Sequence, residues 1–359
     1  MNQERVKRVL DNMNARGLSQ IVICDPNAIF YLTGRFINPG ERLLALYLNQ
    51  TGNHKILINR LFTVPEDLGV EKLWFSDTDN SMALLNGCID RNTALGIDKN
   101  LPARFLLPLM DRNAAVKYVE ASSCVDRVRS RKDAEEQKKM RDVSKINDLA
   151  MAEFIKHVRS GITERELASI MEEIYRSLGA DGGYSFEPLV AFGKNAAIGH
   201  HEPDDTVLCE GDCVLIDVGC KKDGYCSDMT RTFFFRSVKP EHQMIYDIVR
   251  KANETAEAMI HPGVRFCDID AAGRRVIEEA GHGKEFTHRI GHSIGIEVHE
   301  IGDVSSTNTD EVQPGMTFSV EPGIYVDGEV GVRIEDLVLV TETGCEVLNH
   351  YSKELVVLK

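Results

Sequence analysis

The sequence predicts a two-domain protein of the mixed α/β (α+β) class. Helical periodicity alternates with short β-prone runs through the first third of the chain. A charged stretch without clear periodicity, Ser122–Lys132, then separates this region from the rest. Beyond it, a helix–helix–sheet pattern occurs twice. We therefore expect a small mixed α/β domain over residues 1–125 and a larger domain over residues 126–359 with an internal pseudo-two-fold repeat.

The first domain is predicted from local periodicity. Apolar residues recur at helical spacing from Val6 to Met13, which predicts an amphipathic helix over residues 3–16 that ends at Gly17. Further helices are expected near residues 79–88 and 102–113. The β-prone runs that predict strands are Ile21–Cys24, Ala45–Leu48, Lys55–Leu61, Lys72–Phe75 and Val116–Glu120.

The second domain shows weak self-similarity. The segments that begin at Gly161 and Gly263 align at an offset of 263 − 161 = 102 residues, and the offset also aligns Gly179 with Gly281. A long helix is predicted before each copy, over residues 134–159 and 241–260. Thr163 with a glutamate three residues later is a capping-box pattern that opens the next helix. We expect two similar halves around a pseudo-two-fold axis.

Each half contains an acidic hairpin. A four-residue loop at Lys221–Gly224 would pair Asp217 with Asp228, and a three-residue turn would place Glu321 opposite Glu335. A bulge at either turn would change the register. Opposed side chains on one face have Cβ atoms about 4.5–5.5 Å apart, so paired carboxylates repel unless a proton or a cation intervenes.

Four carboxylates favour divalent cations. Oxygen-rich ligand sets bind Mn²⁺, and Co²⁺, Fe²⁺ or Zn²⁺ become alternatives when a histidine joins. Four carboxylates with one neutral imidazole carry a charge of −4, which two divalent ions neutralise. Three histidines, His288, His292 and His299, lie close before the second hairpin. The glutamate of H-E-x-x-H is missing and Gly295 opposes a helix, so this stretch is predicted as loop and strand with a kink.

Two adjacent histidines and four cysteines are further candidates for the same centre. His200 and His201 lie just upstream of the first hairpin, and the repeat suggests that one of them faces the metals. No C-x-x-C pattern occurs among the cysteines of this region, so a zinc site is not indicated. We interpret them as small core residues, namely Cys209, Cys213, Cys220 and Cys226.

Composition excludes several classes of protein. The 359 residues include 42 Lys+Arg and 56 Asp+Glu, a net charge of −14, which argues against a general binder of nucleic acid or anionic membranes. No apolar run approaches the roughly 20 residues that span a bilayer. The first residues lack the apolar core of a signal peptide, and nine cysteines in a long chain suggest reduced thiols. We expect a cytoplasmic protein.

These residues resemble the pita-bread metallopeptidases, in particular the creatinase, prolidase and aminopeptidase P branch. The resemblance covers most of the chain and includes a creatinase-like N-terminal domain, through Asn27-Ala-Ile-Phe-Tyr-Leu-Thr-Gly34. All five metal-ligand positions match: Asp217, Asp228 in Asp-Gly-Tyr-Cys-Ser-Asp, His292 in Gly-His-Ser-Ile-Gly, Glu321 in Glu-Pro-Gly-Ile-Tyr, and Glu335 in Gly-Val-Arg-Ile-Glu-Asp.

The resemblance implies roles for these residues and for their neighbours. Two divalent ions, usually Mn²⁺ with Co²⁺ or Zn²⁺ as alternatives, would share the five ligands, with Asp228 and Glu335 bridging. Glu321 would also shuttle a proton. The other residues implied at the site are His200 rather than His201 as a catalytic histidine, His288 and His299 lining the substrate site, and Arg333 supporting it.

The implied activity is hydrolysis of Xaa-Pro bonds. The favoured activity is that of an Xaa-Pro dipeptidase (prolidase), and an aminopeptidase P acting on longer peptides is the alternative. The two differ in whether a cation meets the free carboxylate of the substrate, and the sequence does not locate that group. A non-catalytic pita-bread binding protein is the alternative of another class, although such relatives have typically lost ligands. The expected partners are a short proline-containing peptide and a second copy of the chain, with no nucleic acid and no membrane.

Overall fold

The computed structural model describes residues 1–359. The chain separates into two compact units, Met1–Arg129 and Ser130–Lys359. The charged stretch that was predicted as a break is in fact helical over Ser123–Arg129. Its buried positions include Asp126 and Arg129, so charged residues on the inner face hide the helical pattern.

The first unit is built on one six-stranded sheet. Its elements are α1 Gln3–Ala15, β1 Gln20–Ile23, α2 Pro26–Thr33, β2 Ala45–Asn49, β3 Lys55–Asn59, β4 Glu71–Phe75, α3 Ser81–Cys88, β5 Ala94–Ile97, α4 Ala103–Asp111, β6 Lys117–Glu120 and α5 Ser123–Arg129. The strand order is β4-β3-β2-β1-β5-β6. The predicted strands and helices are present with small shifts. Helix α2 and strand β5 were not predicted, although Asp25 caps α2 and a proline opens it, a common helix start.

The first half of the second unit follows the predicted order. Its elements are α6 Ala134–Phe154, a 3₁₀ turn at Ile155–His157, α7 Glu164–Ser169, α8 Met171–Ser177, β7 Leu189–Phe192, a 3₁₀ segment at Gly193–Ala197, β8 Cys213–Val218, β9 Lys221–Lys222, β10 Tyr225–Cys226 and β11 Met229–Phe235. The Thr163 capping box is made as predicted, because its side chain accepts from the backbone of Glu166 and the glutamate caps in return.

The second half has the same plan. Its elements are α9 Pro240–Ala258, α10 Phe266–Glu279, β12 Gly291–Ser293, β13 Glu300–Val304, β14 Thr317–Val320, β15 Gly323–Val326, β16 Val330–Arg333, β17 Asp336–Val340, β18 Cys345–Val347 and β19 Val357–Leu358. One sheet has the order β19-β11-β8-β7 and the other the order β13-β12-β14-β17-β18. Two short ladders, β10-β9 and β15-β16, extend the hairpins.

Backbone geometry confirms the internal repeat. The aligned glycines adopt left-handed conformations in both halves, with φ of +80° at Gly161 and +87° at Gly263, and of +100° at Gly179 and +90° at Gly281. These angles favour glycine because other residues pay a steric cost there. The offset found in the sequence therefore marks equivalent turns before and after equivalent helices.

A buried asparagine repeats at the centre of each half. Asn147 on α6 donates from Nδ2 to the carbonyl of Val218 at 3.0 Å, and Asn253 on α9 donates to the carbonyl of Val320 at 2.9 Å. Both asparagines are fully buried. Val218 and Val320 are the last residues of β8 and β14, so each long helix is tied to a strand end that adjoins an acidic residue, Asp217 or Glu321.

The first acidic hairpin differs from its predicted register. A two-residue turn at Asp223–Gly224, with φ of +50° and +80°, replaces the predicted four-residue loop. Asp217 therefore pairs with Thr230, and the predicted pairing with Asp228 is wrong by two residues. Asp-Gly favours such turns because both positions need positive φ. A shift of two residues keeps the alternation of side chains, so both carboxylates stay on one face.

The second acidic hairpin has its predicted register. β14 pairs with β17 on one side of the acidic pair, and β15 pairs with β16 on the other side. Both ladders have the same register. This alignment places Glu321 opposite Glu335 and leaves the predicted three-residue turn at Asp327–Glu329.

The cysteine interpretation holds for three of four residues. Cys213, Cys220 and Cys226 are at most 1% exposed. Cys209 is exposed, because it precedes the turn into β8 rather than lying in the strand. None of the helices combines the length and the apolar character that crossing a membrane requires.

We predict that Asn147→Ala lowers the free energy of unfolding by about 1–3 kcal/mol, because it leaves the Val218 carbonyl and the Tyr175 hydroxyl, its two buried partners, unpaired. Urea denaturation measures this loss. Lys145→Ala, at an exposed position of the same helix, is the matched control and should change stability by less than about 0.5 kcal/mol. Equal stability of the two variants would contradict the structural role of the asparagine.

Candidate metal centre and active site

Four carboxylates from the two hairpins surround one small volume. Asp217 lies on β8 and Asp228 directly precedes β11, while Glu321 follows β14 and Glu335 directly precedes β17. Asp228 and Glu335 are 3% and 2% exposed. Each half of the repeat thus contributes one carboxylate at the end of a strand and one at the start of its partner.

His292 completes the cluster. Its Nε2 lies 3.5 Å from Oδ2 of Asp228 and 3.5 Å from Oε1 of Glu321. The ligand atoms of Asp228, His292 and Glu335 all lie within 4.8 Å of one another. Burial, followed by the neighbouring His299, lowers the pKa of the His292 imidazole to about 3. The ring is therefore neutral at pH 7, with a lone pair available for a cation.

The carboxylates destabilise one another's charged forms. Burial, followed by the charges of Glu335, Asp217 and Glu321, raises the pKa of the Asp228 carboxyl well above its usual range. Burial and the charges of Glu321 and Asp217 do the same to the pKa of Glu335. Burial also raises the pKa of Glu321 to about 7, although Arg333 opposes the rise. The arrangement is electrostatically costly unless positive charge joins it.

The donor set fits divalent cations. The Oδ1 atoms of Asp217 and Asp228 are buried and have no hydrogen-bond partner in the protein. Such orphaned oxygens are rare in native structures and call for a ligand. Two donors that each lie about 2.1 Å from one ion stand about 3.0–3.4 Å apart, close to the 3.5 Å that separates the His292 nitrogen from each carboxylate. Carboxylates with a single imidazole suit borderline and hard ions.

Arg333 compensates part of the charge. It is 4% exposed and donates from Nη2 to Oδ2 of Asp217 at 2.6 Å. Its Nε donates to the hydroxyl of Thr230 at 3.0 Å, and that hydroxyl donates to Oε2 of Glu335 at 2.7 Å. With all four carboxylates ionised, the cluster would carry −4, and Arg333 would reduce its net charge to −3.

Sequence reasoning missed two supporting residues, Thr230 and Tyr325. The hydroxyl of Tyr325 accepts from Nη1 of Arg333 at 2.9 Å. A signal for Thr230 was present, because the Asp-Gly turn predicts a register that sets it opposite Asp217. Tyr325 gave no signal, since its contact depends on how the ring lies across the β15–β16 ladder.

His288 lies behind the carboxylates and is joined to Arg333 through Tyr325. Its Nδ1 lies 2.7 Å from the carbonyl of Arg289, so Nδ1–H donates there and Nε2 accepts from the Tyr325 hydroxyl at 2.8 Å. This tautomer is assigned from the partners. Burial, followed by the charge of Arg333, lowers the pKa of His288 to about 4.

His299 borders His292 at the edge of the cluster. The His299 ring meets the His292 ring edge-on, with centroids 4.3 Å apart, and His299 is exposed. The kink expected near Gly295 is present between β12 and β13. Burial is the largest cause that lowers the pKa of His299, followed by the charge of Arg289. By smaller amounts, Asp303 raises this pKa and His200 lowers it. His200 is exposed and lies within electrostatic range of His299.

His201 points to a different group. Its Nε2 lies 2.6 Å from Oε2 of Glu164, which is fully buried. The Glu164 carboxylate also accepts from the backbone N–H groups of Phe192 and Asp204 and from the side-chain amide of Asn195. Glu164, His201 and Asp204 have the spacing of a metal site, but these four partners already satisfy the carboxylate. His201 therefore anchors its loop, whereas the side chain of His200 is exposed.

Two family models match the chain. The model of metallopeptidase family M24 matches residues 138–342, and that of the creatinase/prolidase N-terminal domain matches residues 5–131. An uncharacterized peptidase of Staphylococcus saprophyticus is 36% identical over 353 residues, which cover 97% of this chain and 100% of the relative.

Solved structures agree with the family models over nearly the whole chain. A dipeptidase from Pyrococcus horikoshii has a TM-score of 0.92 and 34% identity, covering 99% of this chain and 100% of that one. A recombinant prolidase from Thermococcus sibiricus has a TM-score of 0.92 and 32% identity, covering 100% and 99%. The chain therefore belongs to metallopeptidase family M24, with a creatinase/prolidase N-terminal domain in front of a pita-bread catalytic domain.

Proposed function

We propose that this metallopeptidase hydrolyses Xaa-Pro peptide bonds with two divalent ions, and that it is an Xaa-Pro dipeptidase. The observation that carries the proposal is the convergence of four carboxylates and the neutral His292, with two buried carboxylate oxygens unpartnered. The net charge of −3 that remains after Arg333 exceeds what one divalent ion neutralises. The similar solved structures named dipeptidase and prolidase support the choice of substrate.

The ions would be held by five residues, namely Asp217, Asp228, His292, Glu321 and Glu335. We propose Mn²⁺, with Co²⁺ or Zn²⁺ as alternatives, because oxygen donors outnumber the single nitrogen. When bound, a pair of divalent ions lowers the pKa of water toward neutrality and polarises the scissile carbonyl.

Glu321 is the carboxylate best placed to move a proton. Its side chain is 16% exposed, against 4% for Asp228, while Asp217, which is 17% exposed, is held by its bond to Arg333. The Ser319 hydroxyl donates to its Oε1 at 3.2 Å and leaves the other oxygen for the reaction. We propose that Glu321 passes a proton to the leaving nitrogen.

The histidines and Arg333 would act on the substrate and on the ligands. His299 and His200 are exposed beside the cluster and would donate hydrogen bonds to the developing charge and to the substrate backbone. His288 would line the substrate site through its contact with Tyr325. Arg333 would fix the orientation of Asp217 through their 2.6 Å bond.

A proline substrate suits such a site. The leaving nitrogen of an Xaa-Pro bond carries no N–H, so no acceptor is needed for it. An aminopeptidase P that trims longer peptides is the alternative activity, and both use the same five ligands. The intact ligand set disfavours the alternative of a non-catalytic pita-bread binding protein. We further propose a homodimer, as the family resemblance implies, and a cytoplasmic setting, which the nine free cysteines support.

A comparison of two substrates tests the proposed activity. With Mn²⁺ present, we expect faster hydrolysis of Ala-Pro than of Ala-Pro-Ala, measured as released alanine. The reverse preference would indicate an aminopeptidase P, and hydrolysis of neither would contradict the proposed function. Ala-Ala serves as the control for selectivity toward proline.

We predict that Asp228→Asn lowers metal occupancy and abolishes hydrolysis, because it removes a charged ligand from the most buried part of the cluster. Metal analysis of protein purified without chelator and the Ala-Pro assay measure the two effects. Asp223→Asn, in the exposed turn of the same hairpin, is the matched control and should keep both. A folded Asp228→Asn protein with full activity would overturn the site.

We predict that His299→Ala loses kcat and retains its metals, while His292→Ala loses metal affinity. Only His292 directs its nitrogen at two carboxylates, whereas His299 lies on the open side. Removing one donor to the transition state typically costs about 10²–10³ in rate. Kinetics and metal analysis of both variants are needed. A metal-depleted His299→Ala with a metal-replete His292→Ala would reverse the assignments.

A further inference from the structure

A buried ion pair directly follows His299. Oε2 of Glu300 lies 2.9 Å from Nζ of Lys132, and their side chains are 4% and 1% exposed. His299, the preceding residue, is exposed. Within one residue the chain therefore passes from the open side of the candidate active site to a fixed contact in the interior.

Glu300 also closes the turn that leads to His299. Its Oε1 accepts from the backbone N–H groups of Ile296 at 3.0 Å and of Glu297 at 3.4 Å. The turn packs so closely on the pair that a Cβ at Gly295 would lie 2.8 and 2.9 Å from the carboxylate oxygens. The segment between His292 and His299 is thus wrapped around the carboxylate of Glu300.

Lys132 is held in place by its own backbone. Its N–H donates to the carbonyl of Gly315 at 2.7 Å, and its carbonyl accepts from Nε2 of Gln137 at 2.9 Å. Gly315 has φ of +87°, and a Cβ there would lie 2.9 Å from the Lys132 carbonyl. The ammonium group is therefore presented to Glu300 from a fixed position.

We propose that Lys132 and Glu300 are positioning residues for His299. The ion pair fixes the turn, and the turn fixes the His299 ring against His292 with its 4.3 Å separation. The proposal rests on the proposed catalytic role of His299. Loss of the Lys132 ammonium removes a buried, charge-assisted contact from the carboxylate around which the turn is wrapped, so the turn and the His299 ring are expected to shift.

The first test is a kinetic cycle with Lys132→Met, which removes the ammonium group and touches neither metal nor substrate. We expect kcat on Ala-Pro to fall about 10- to 100-fold, as misplaced catalytic groups do, with KM and metal content little changed. In the double variant that also carries His299→Ala, the total loss of kcat should be smaller than the product of the two single losses. Both substitutions act through the His299 ring. Multiplied losses, or an unchanged kcat in Lys132→Met, would overturn the proposal.

Two further variants separate positioning from general destabilisation. Lys132→Met combined with Glu300→Gln leaves a neutral pair whose amide oxygen can still accept from Ile296 N–H. Because both substitutions act on the same contact, kcat of this double variant should fall no further than in Lys132→Met alone, and a multiplied loss would contradict the proposal. Lys138→Met, which breaks an exposed pair with Asp142 on α6, is the matched control and should behave as the wild type.

A spectroscopic readout does not depend on activity. In protein labelled with ¹³Cε1-histidine and loaded with diamagnetic Zn²⁺, the edge-on ring contact shifts the signals of His292 and His299, and His299→Ala identifies the latter. Lys132→Met should move the His299 signal, and an unmoved signal would overturn the proposal. A moved signal in a protein that hydrolyses no Xaa-Pro substrate would support the positioning role and overturn the proposed function instead.

Discussion

Repulsion among four closely spaced carboxylates, two of them buried, is the constraint on which the catalytic unit depends. Asp217 and Asp228 on one hairpin meet Glu321 and Glu335 on the other, and Arg333 neutralises only one of the four charges. A cluster of this kind would lower stability if it served folding alone, because burial penalises each charge and the neighbours penalise it again. Its presence is therefore a strong indication of function, and cations are the natural compensation. Hydroxyl and guanidinium donors fill the remaining acceptor positions, so only selected oxygens are left open.

The internal repeat explains how one chain brings these charges together. Each half ties its long helix to the end of a central strand through a buried asparagine, Asn147 or Asn253. Asp217 directly precedes the end of its strand and Glu321 directly follows the end of its own, so the same bond that secures the packing also fixes where these two ligands lie along the strands. The halves differ in what they add. Only the second half supplies an imidazole, His292, and a guanidinium, Arg333, to the carboxylate cluster, which gives a near-symmetric frame an asymmetric site.

Much of the site could be predicted because side chains alternate between the two faces of a strand. This alternation decides which carboxylates lie on the same face. An error of two residues in the first hairpin left Asp217 and Asp228 on one face, since alternation has a period of two. The second hairpin could be predicted in detail because its three-residue turn is unambiguous. Contacts between segments that are far apart in the sequence could not be predicted from alternation or from turns. Nothing local joins Thr230 to Arg333 across 103 residues, and no periodicity shows that Glu164 binds His201 rather than a metal.

The two halves also hold their exposed histidines in a similar way. His200 is followed by His201, which is fixed on buried Glu164, and His299 is followed by Glu300, which is fixed on a buried lysine. Catalytic groups on loops gain precision only when the loop itself is held, since a shift of about 1 Å is enough to lose much of the rate. In each pair a buried contact one residue away holds the backbone, while the neighbouring histidine ring stays exposed. Under the proposed function, the exposed histidine would meet the substrate and its buried neighbour would keep the loop in place.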